Sequence, residues 1–232
     1  MEEFSEIVSD CYNTPVMTNN GFTPFDGELD VQVFSRAERD RIVLVFRGTD
    51  SITDWITDFQ IQQIPLPFAP SHKIRVHYGF YKCYKVVRSF ILKEIEHACK
   101  PEVVLLSHSL GSGIATIAAY ELARLLPDLK IKNITFGSPR VGNREFAKSY
   151  NNLSIDTYRF VDPEDVIPTV PLVNYKHVKS LYVCTEDGYI KRKNARRSCF
   201  HMCCAATVKD HSMMNYHESL SKGPLAREHE NT

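Results

Sequence analysis

The chain has 232 residues, 43% of them hydrophobic, which is enough for one domain with a sizeable core. Lys plus Arg and Asp plus Glu each number 28, a balance that argues against a chain built around nucleic-acid binding. The seven cysteines are odd in number and the chain is not small, which argues against a secreted disulfide framework.

The opening residues, MEEFSEIVSD, are acidic and lack an apolar stretch. No signal peptide is read there, and the expectation is a cytoplasmic protein or one of undetermined location, with secretion by an unusual route left open. EEFSEIVSDCY has the spacing of a short amphipathic helix. LDVQVFS (29–35) and RIVLVFRG (41–48) read as strands separated by a polar turn. The segment 51–73 mixes Trp55, Phe59, Ile61, Ile64, Leu66 and Phe68 with polar residues and prolines. Helical spacing returns over 77–99. EVVLL (102–106) is a buried strand and 110–126 a helix. A strand over 128–138, a helix from about Asn143, and strands in IDTYRFVD and VKSLYVCTE follow. Strands alternating with helices predict a single α/β domain over 1–232, with a mostly parallel central sheet flanked by helices.

From Val103 to Tyr120 no residue carries a formal charge. A membrane span needs about 20 predominantly apolar residues. This stretch contains Ser107, His108, Ser109, Ser112, Thr116 and two glycines, and Glu121 and Arg124 follow at once, so no transmembrane segment is expected. Its strand–turn–helix setting places Ser109 where strand 102–107 must reverse into helix 110–126. That is the setting of a nucleophile elbow, G-x-S-x-G, whose flanking positions must be small; here they are Ser107 and Gly111. The elbow would present the Ser109 hydroxyl at a helix N-terminus, where the Leu110 amide and the helix dipole can hold negative charge. The same letters also suit a plain small-residue turn between a core strand and a core helix.

A serine nucleophile needs a base, and the base an orienting carboxylate. In α/β-hydrolases the chain order is Ser, acid, His. Downstream, RFVDPEDVIPTVP (159–171) offers Asp162, Glu164 and Asp165, and KDHSMMNYHESL (209–220) offers His211 and His217.

Four segments together resemble the class 3, fungal-type lipases of the α/β-hydrolase superfamily. VLVFRGTDSITDWITDF resembles their strand, oxyanion loop and lid start. VHYGFYKCYKVV resembles their H-x-G-F helix start, and SHSLGSGIATIAA their elbow. NITFGSPRVGN with DPEDVIPTVP resembles their G-x-P-R-x-G-N and D-x-V-P-x-x-P blocks. The resemblance implies Ser109 as nucleophile, Asp165 as acid with Asp162 as fallback, and His211 as base with His217 as the alternative. It implies Thr49 as a second oxyanion donor beside the Leu110 amide. It places His77 and His177 at non-catalytic positions, and His108 beside the nucleophile but pointing away from it.

The segment 51–70 is a candidate lid. Trp55 and Phe59 fall one helical turn apart, so an apolar side would cover the site or meet a lipid surface peripherally. The competing reading is a packed loop whose aromatics fill the core. The implied substrate is a lipid ester such as an acylglycerol, with a phospholipid or a small soluble ester as alternatives and a non-catalytic scaffold as the rival of another class. No cofactor is implied. CFHMCC (199–204) lacks the distant second half of a zinc site, so no metal is expected. KRKNARR (191–197) reads as a solvated loop.

Overall fold

The computed structural model describes residues 1–48, 62–192 and 211–225. Thr49, Trp55 and Phe59 lie outside them, as does the cysteine cluster at 199–204. In chain order the elements are α1 (Glu2–Asp10), α2 (Thr14–Asn19), β1 (Thr23–Asp26), β2 (Gln32–Ala37), β3 (Arg41–Phe46), β4 (Gln63–Pro65), β5 (Arg75–His77), α3 (Tyr78–Ala98), β6 (Glu102–His108), α4 (Leu110–Leu125), β7 (Lys130–Phe136), α5 (Arg144–Asn151), β8 (Ile155–Val161), β9 (Leu181–Thr185), β10 (Gly188–Arg192) and α6 (Met213–Ser221).

Eight strands form one sheet in the order β1-β2-β3-β6-β7-β8-β9-β10, and β4 and β5 form a separate hairpin. In the large sheet β3, β6, β7, β8 and β9 pair in parallel, and antiparallel partners close both sides. Parallel strands are buried on both faces, which is why β3 and β6 read as unbroken apolar runs. Successive side chains still alternate in direction. Ile42, Leu44, Phe46, Val103 and Leu105 join the core formed with α3, α4 and α5. Val43, Val45, Val104 and Leu106 join a second core formed with α1, α2 and α6.

This division of helices follows from handedness. The crossovers from β3 through β8 all step the same way along the sheet. Right-handed connections therefore put α3, α4 and α5 on one face. The other face is covered by α1, α2 and α6. Between α3 and α4, Arg88 grips buried Glu121 (Nη2–Oε1 2.6 Å), and the Tyr84 hydroxyl also donates to that carboxylate.

Composition alone did not reveal β1, α2, the β4–β5 hairpin or β10. All are short, and Pro15 and Pro24 interrupt the periodicity of two of them. Pro15 sits in the first turn of α2, behind an Asn13 side chain that accepts from the Val16 amide; Pro24 lies in an edge strand, where a missing N–H is tolerated. Of the candidate lid segment 51–70, residues 51–61 lie outside the described residues, and part of 62–70 packs on the core. Leu66 is buried, and Phe68 packs edge-on to Tyr84 with ring centroids 6.1 Å apart.

Candidate active site

The site is built where the parallel strands end. Register sets Phe46 of β3 against Ser107 of β6, His108 against Phe136 of β7, and Phe136 against Phe160 of β8. The residues that leave these strands therefore converge on one edge of the sheet, the usual place for a ligand site in parallel α/β folds.

Ser109 joins β6 to α4 with φ 56° and ψ −127°, a conformation that costs a non-glycine residue roughly 1–3 kcal/mol. Its amide donates to the Phe136 carbonyl (3.0 Å), which ties the turn to the end of β7. The small-residue requirement is met in space. A β-carbon on Gly111 would fall 2.3 Å from the Phe46 carbonyl oxygen, and Ser107 is fully buried. Ser109 Oγ is buried and has no hydrogen-bond partner among the described residues.

Asp165 lies just beyond β8 in a turn that opens with the Asp165 amide donating to the Asp162 carbonyl (3.1 Å). Its carboxylate is fully buried and accepts three hydrogen bonds. The Ile167 amide reaches Oδ1 (2.8 Å), while His211 Nδ1 (2.6 Å) and the Tyr216 hydroxyl (2.5 Å) share Oδ2. The following stretch is clamped by Arg140, whose Nη1 donates to the Thr169 and Pro171 carbonyls, and by His177, whose Nε2 donates to the Pro168 carbonyl (2.7 Å). Burial and the nearby charge of Arg159 hold the His177 imidazole well below its ordinary value, so it serves as a neutral donor.

His211 precedes α6, whose first turn is capped by the Ser212 side chain. Its Nδ1 is engaged by Asp165, while its Nε2 is buried without a partner among the described residues. The imidazole lies flat on that of His108, with centroids 4.4 Å apart and planes at 25°. Gly137 makes room for this pair. At φ +59° it takes a left-handed turn, and a β-carbon there would sit 2.6 Å from His211 Cε1 and 2.8 Å from Asp165 Oδ2.

Chemically, a carboxylate fixes the orientation of an imidazole whose Nε2, like the Ser109 hydroxyl, has no partner among the described residues. The Leu110 amide opens α4 directly after Ser109. Gly48, the residue before Thr49, abuts Ser109, since a β-carbon there would lie 3.0 Å from Ser109 Cβ. Of the competing residues, Asp162 turns its Oδ1 to the Glu164 amide, and Glu164 is exposed. His217 contacts Ser5 Oγ on α1 (2.9 Å). Sequence reasoning passed over Tyr216, Arg140 and Gly137 as site builders. Tyr216 stood in the quoted histidine segment, and Arg140 and Gly137 in the G-x-P-R block, but which groups they touch is a tertiary fact.

Among the described residues no helix is long and apolar enough to cross a membrane. The family model described as Lipase (class 3) matches residues 43–175. A relative named secreted mono- and diacylglycerol lipase A, from Penicillium cyclopium, is 34% identical over 154 residues, covering 63% of this chain and 49% of its own. A relative named lipase, from Rhizomucor miehei, is 31% identical over 156 residues, covering 63% of this chain and 42% of its own. The chain thus spans about half or less of the length of these relatives. The solved structure of lipase II from Rhizopus niveus superposes with a TM-score of 0.80 at 24% identity, covering 90% of this chain and 91% of that one, a likeness of fold. The Penicillium relative is named as secreted, which overturns the cytoplasmic expectation drawn from the acidic first residues.

Proposed function

The chain belongs to the class 3 lipase family, and on that premise we propose that it is a carboxylic-ester hydrolase cleaving lipid esters of the acylglycerol type. The observation that carries this reading is the buried His211–Asp165 pair (2.6 Å), which leaves His211 Nε2, like Ser109 Oγ, without a partner among the described residues. The name of the Penicillium relative, a mono- and diacylglycerol lipase, supports the substrate class.

In the proposed cycle His211 Nε2 takes the Ser109 hydroxyl proton as Oγ attacks the ester carbonyl carbon. The carbonyl electron pair moves onto oxygen, and the Leu110 amide holds the resulting oxyanion together with a donor from Thr49. The intermediate collapses, the carbon–oxygen bond to the alcohol breaks, and His211 returns its proton to that leaving oxygen. Water then attacks the acyl-enzyme by the same route, releasing the fatty acid and restoring Ser109. Asp165 holds Nδ1 throughout and stabilises the imidazolium.

The proposal treats the whole chain as one α/β-hydrolase domain. Trp55 and Phe59, within the 51–70 segment, are assigned to the lid and to contact with the lipid surface. The test is hydrolysis of short- and long-chain p-nitrophenyl esters and of diacylglycerol, with fluorophosphonate labelling alongside. Labelling at Ser109 together with long-chain preference supports the reading. A folded protein that is inert towards every ester and remains unlabelled overturns it in favour of a scaffold, and activity confined to short soluble esters overturns the lipid substrate.

A further inference from the structure

The catalytic base rests on a second histidine that the triad chemistry does not use. His108 is buried, with its ring stacked on that of His211 at 4.4 Å. Its edge is held by Tyr12, whose hydroxyl lies 2.6 Å from His108 Nδ1. Tyr12 follows α1 and approaches from the helical face opposite α3–α5, with the Arg47 guanidinium 5.2 Å from its ring centroid. On the remaining side, Tyr216 of α6 meets the His108 ring edge-on at 6.2 Å while its hydroxyl binds Asp165. Among the described residues, the titratable and charged groups around His108 are therefore Tyr12, Arg47, His211, Tyr216 and, through the last two, Asp165.

We propose that His108 is a positioning residue for the base: a neutral aromatic platform, anchored by Tyr12, that fixes the plane of the His211 ring and faces the imidazolium formed in each half-reaction. The proposal rests on the assignment of His211 as base. Nδ1 is already fixed by Asp165, but a single hydrogen bond leaves a ring free to swing about that contact. A flat neighbour against one face removes this freedom, and reacting groups displaced by about 1 Å lose roughly 10²-fold in rate. The platform must stay uncharged, because a protonated His108 would repel the imidazolium stacked on it. Burial, followed by the charge of His211, holds His108 well below its ordinary value. A ring face that carries no charge favours a cation lying against it.

Two substitutions separate a platform from a space filler. His108→Phe keeps a flat aromatic face, whereas His108→Leu fills similar volume without one. We expect His108→Phe to retain kcat within about threefold, and His108→Leu to lose kcat by ten- to a hundredfold with KM unchanged and the acid limb of the kcat/KM pH profile moved to lower pH. Equal kcat and equal acid limbs for the two variants would reduce His108 to packing and overturn the proposal. A measurement on the unaltered protein covers the case in which both variants misfold. Side-chain nuclear magnetic resonance should show a stacked, upfield-shifted His108 that stays neutral through about pH 5–8. Titration of His108 within that window overturns the proposal. A parent protein inert to esters and to fluorophosphonate, with His108 neutral and stacked, would instead count against the hydrolase reading alone.

Discussion

Tyr216 and His211 converge on one oxygen atom, Asp165 Oδ2, at 2.5 and 2.6 Å. The phenol therefore completes the solvation of a fully buried carboxylate whose other oxygen is satisfied by the Ile167 amide. Hydrogen bonds to charged groups contribute roughly 1.5–3 kcal/mol. Tyr216→Phe should lower kcat by about tenfold or more with KM unchanged, since the hydroxyl donates to Asp165. Steady-state kinetics of the variant check this, and an unchanged kcat would show that Asp165 needs only His211 and the backbone.

Ser109 stands at a strained turn, φ 56°. Ser109→Ala should lose at least about 10³-fold in ester hydrolysis and all fluorophosphonate labelling. Ser109→Gly should be equally inactive yet more stable than Ser109→Ala by about 1 kcal/mol, because glycine adopts that backbone freely. Thermal melts of the two variants decide it; equal midpoints would mean that the elbow holds no strain.

Gly137 leaves no room for a side chain beside Asp165 and His211. Gly137→Ala should shift the His211 ring and reduce turnover by roughly 10²-fold. The added methyl and the left-handed backbone should together cost only a few kcal/mol of stability. Activity should therefore fall while a cooperative unfolding transition survives. Loss of the transition along with the activity would contradict this separation.

The buried His77 and His108 and the partly buried His177 make stability depend on pH. Burial lowers His77 to about 4 and holds His108 and His177 well below the ordinary 6.5. On unfolding, each takes up a proton once the pH drops below 6.5. Their contribution is therefore complete above that value and is lost as the pH falls, at about 1.4 kcal/mol per unit for each group. For His77 the loss levels off near pH 4. His177→Gln keeps a donor for the Pro168 carbonyl but cannot titrate, so urea unfolding near pH 6 and pH 5 should show a shallower loss for this variant. An unchanged slope would mean that His177 is not held neutral.

Local pattern carried the core elements because their signals are local. The apolar runs of β3 and β6, the uncharged stretch leading into α4 and the small residues around Ser109 each follow from burial or from sterics acting within a few residues. The residues alone left Asp162, Glu164 and Asp165, and His211 and His217, open, and the resemblance to the family's motifs selected Asp165 and His211. The short edge elements were not legible, because three to six residues hold too few periods to stand above composition.

What the sequence determined by itself was the α/β class, the elbow and the identity of three triad candidates. The assembly of those candidates was decided by the tertiary structure. Strand register brought the ends of β6, β7 and β8 level, and right-handed crossovers left one face for α1 and α6 to cover. Those packing facts set Tyr216 on Asp165, His108 on His211 and Tyr12 on His108. These pairs span 51, 103 and 96 positions of the chain, separations at which no local pattern in the sequence records a contact.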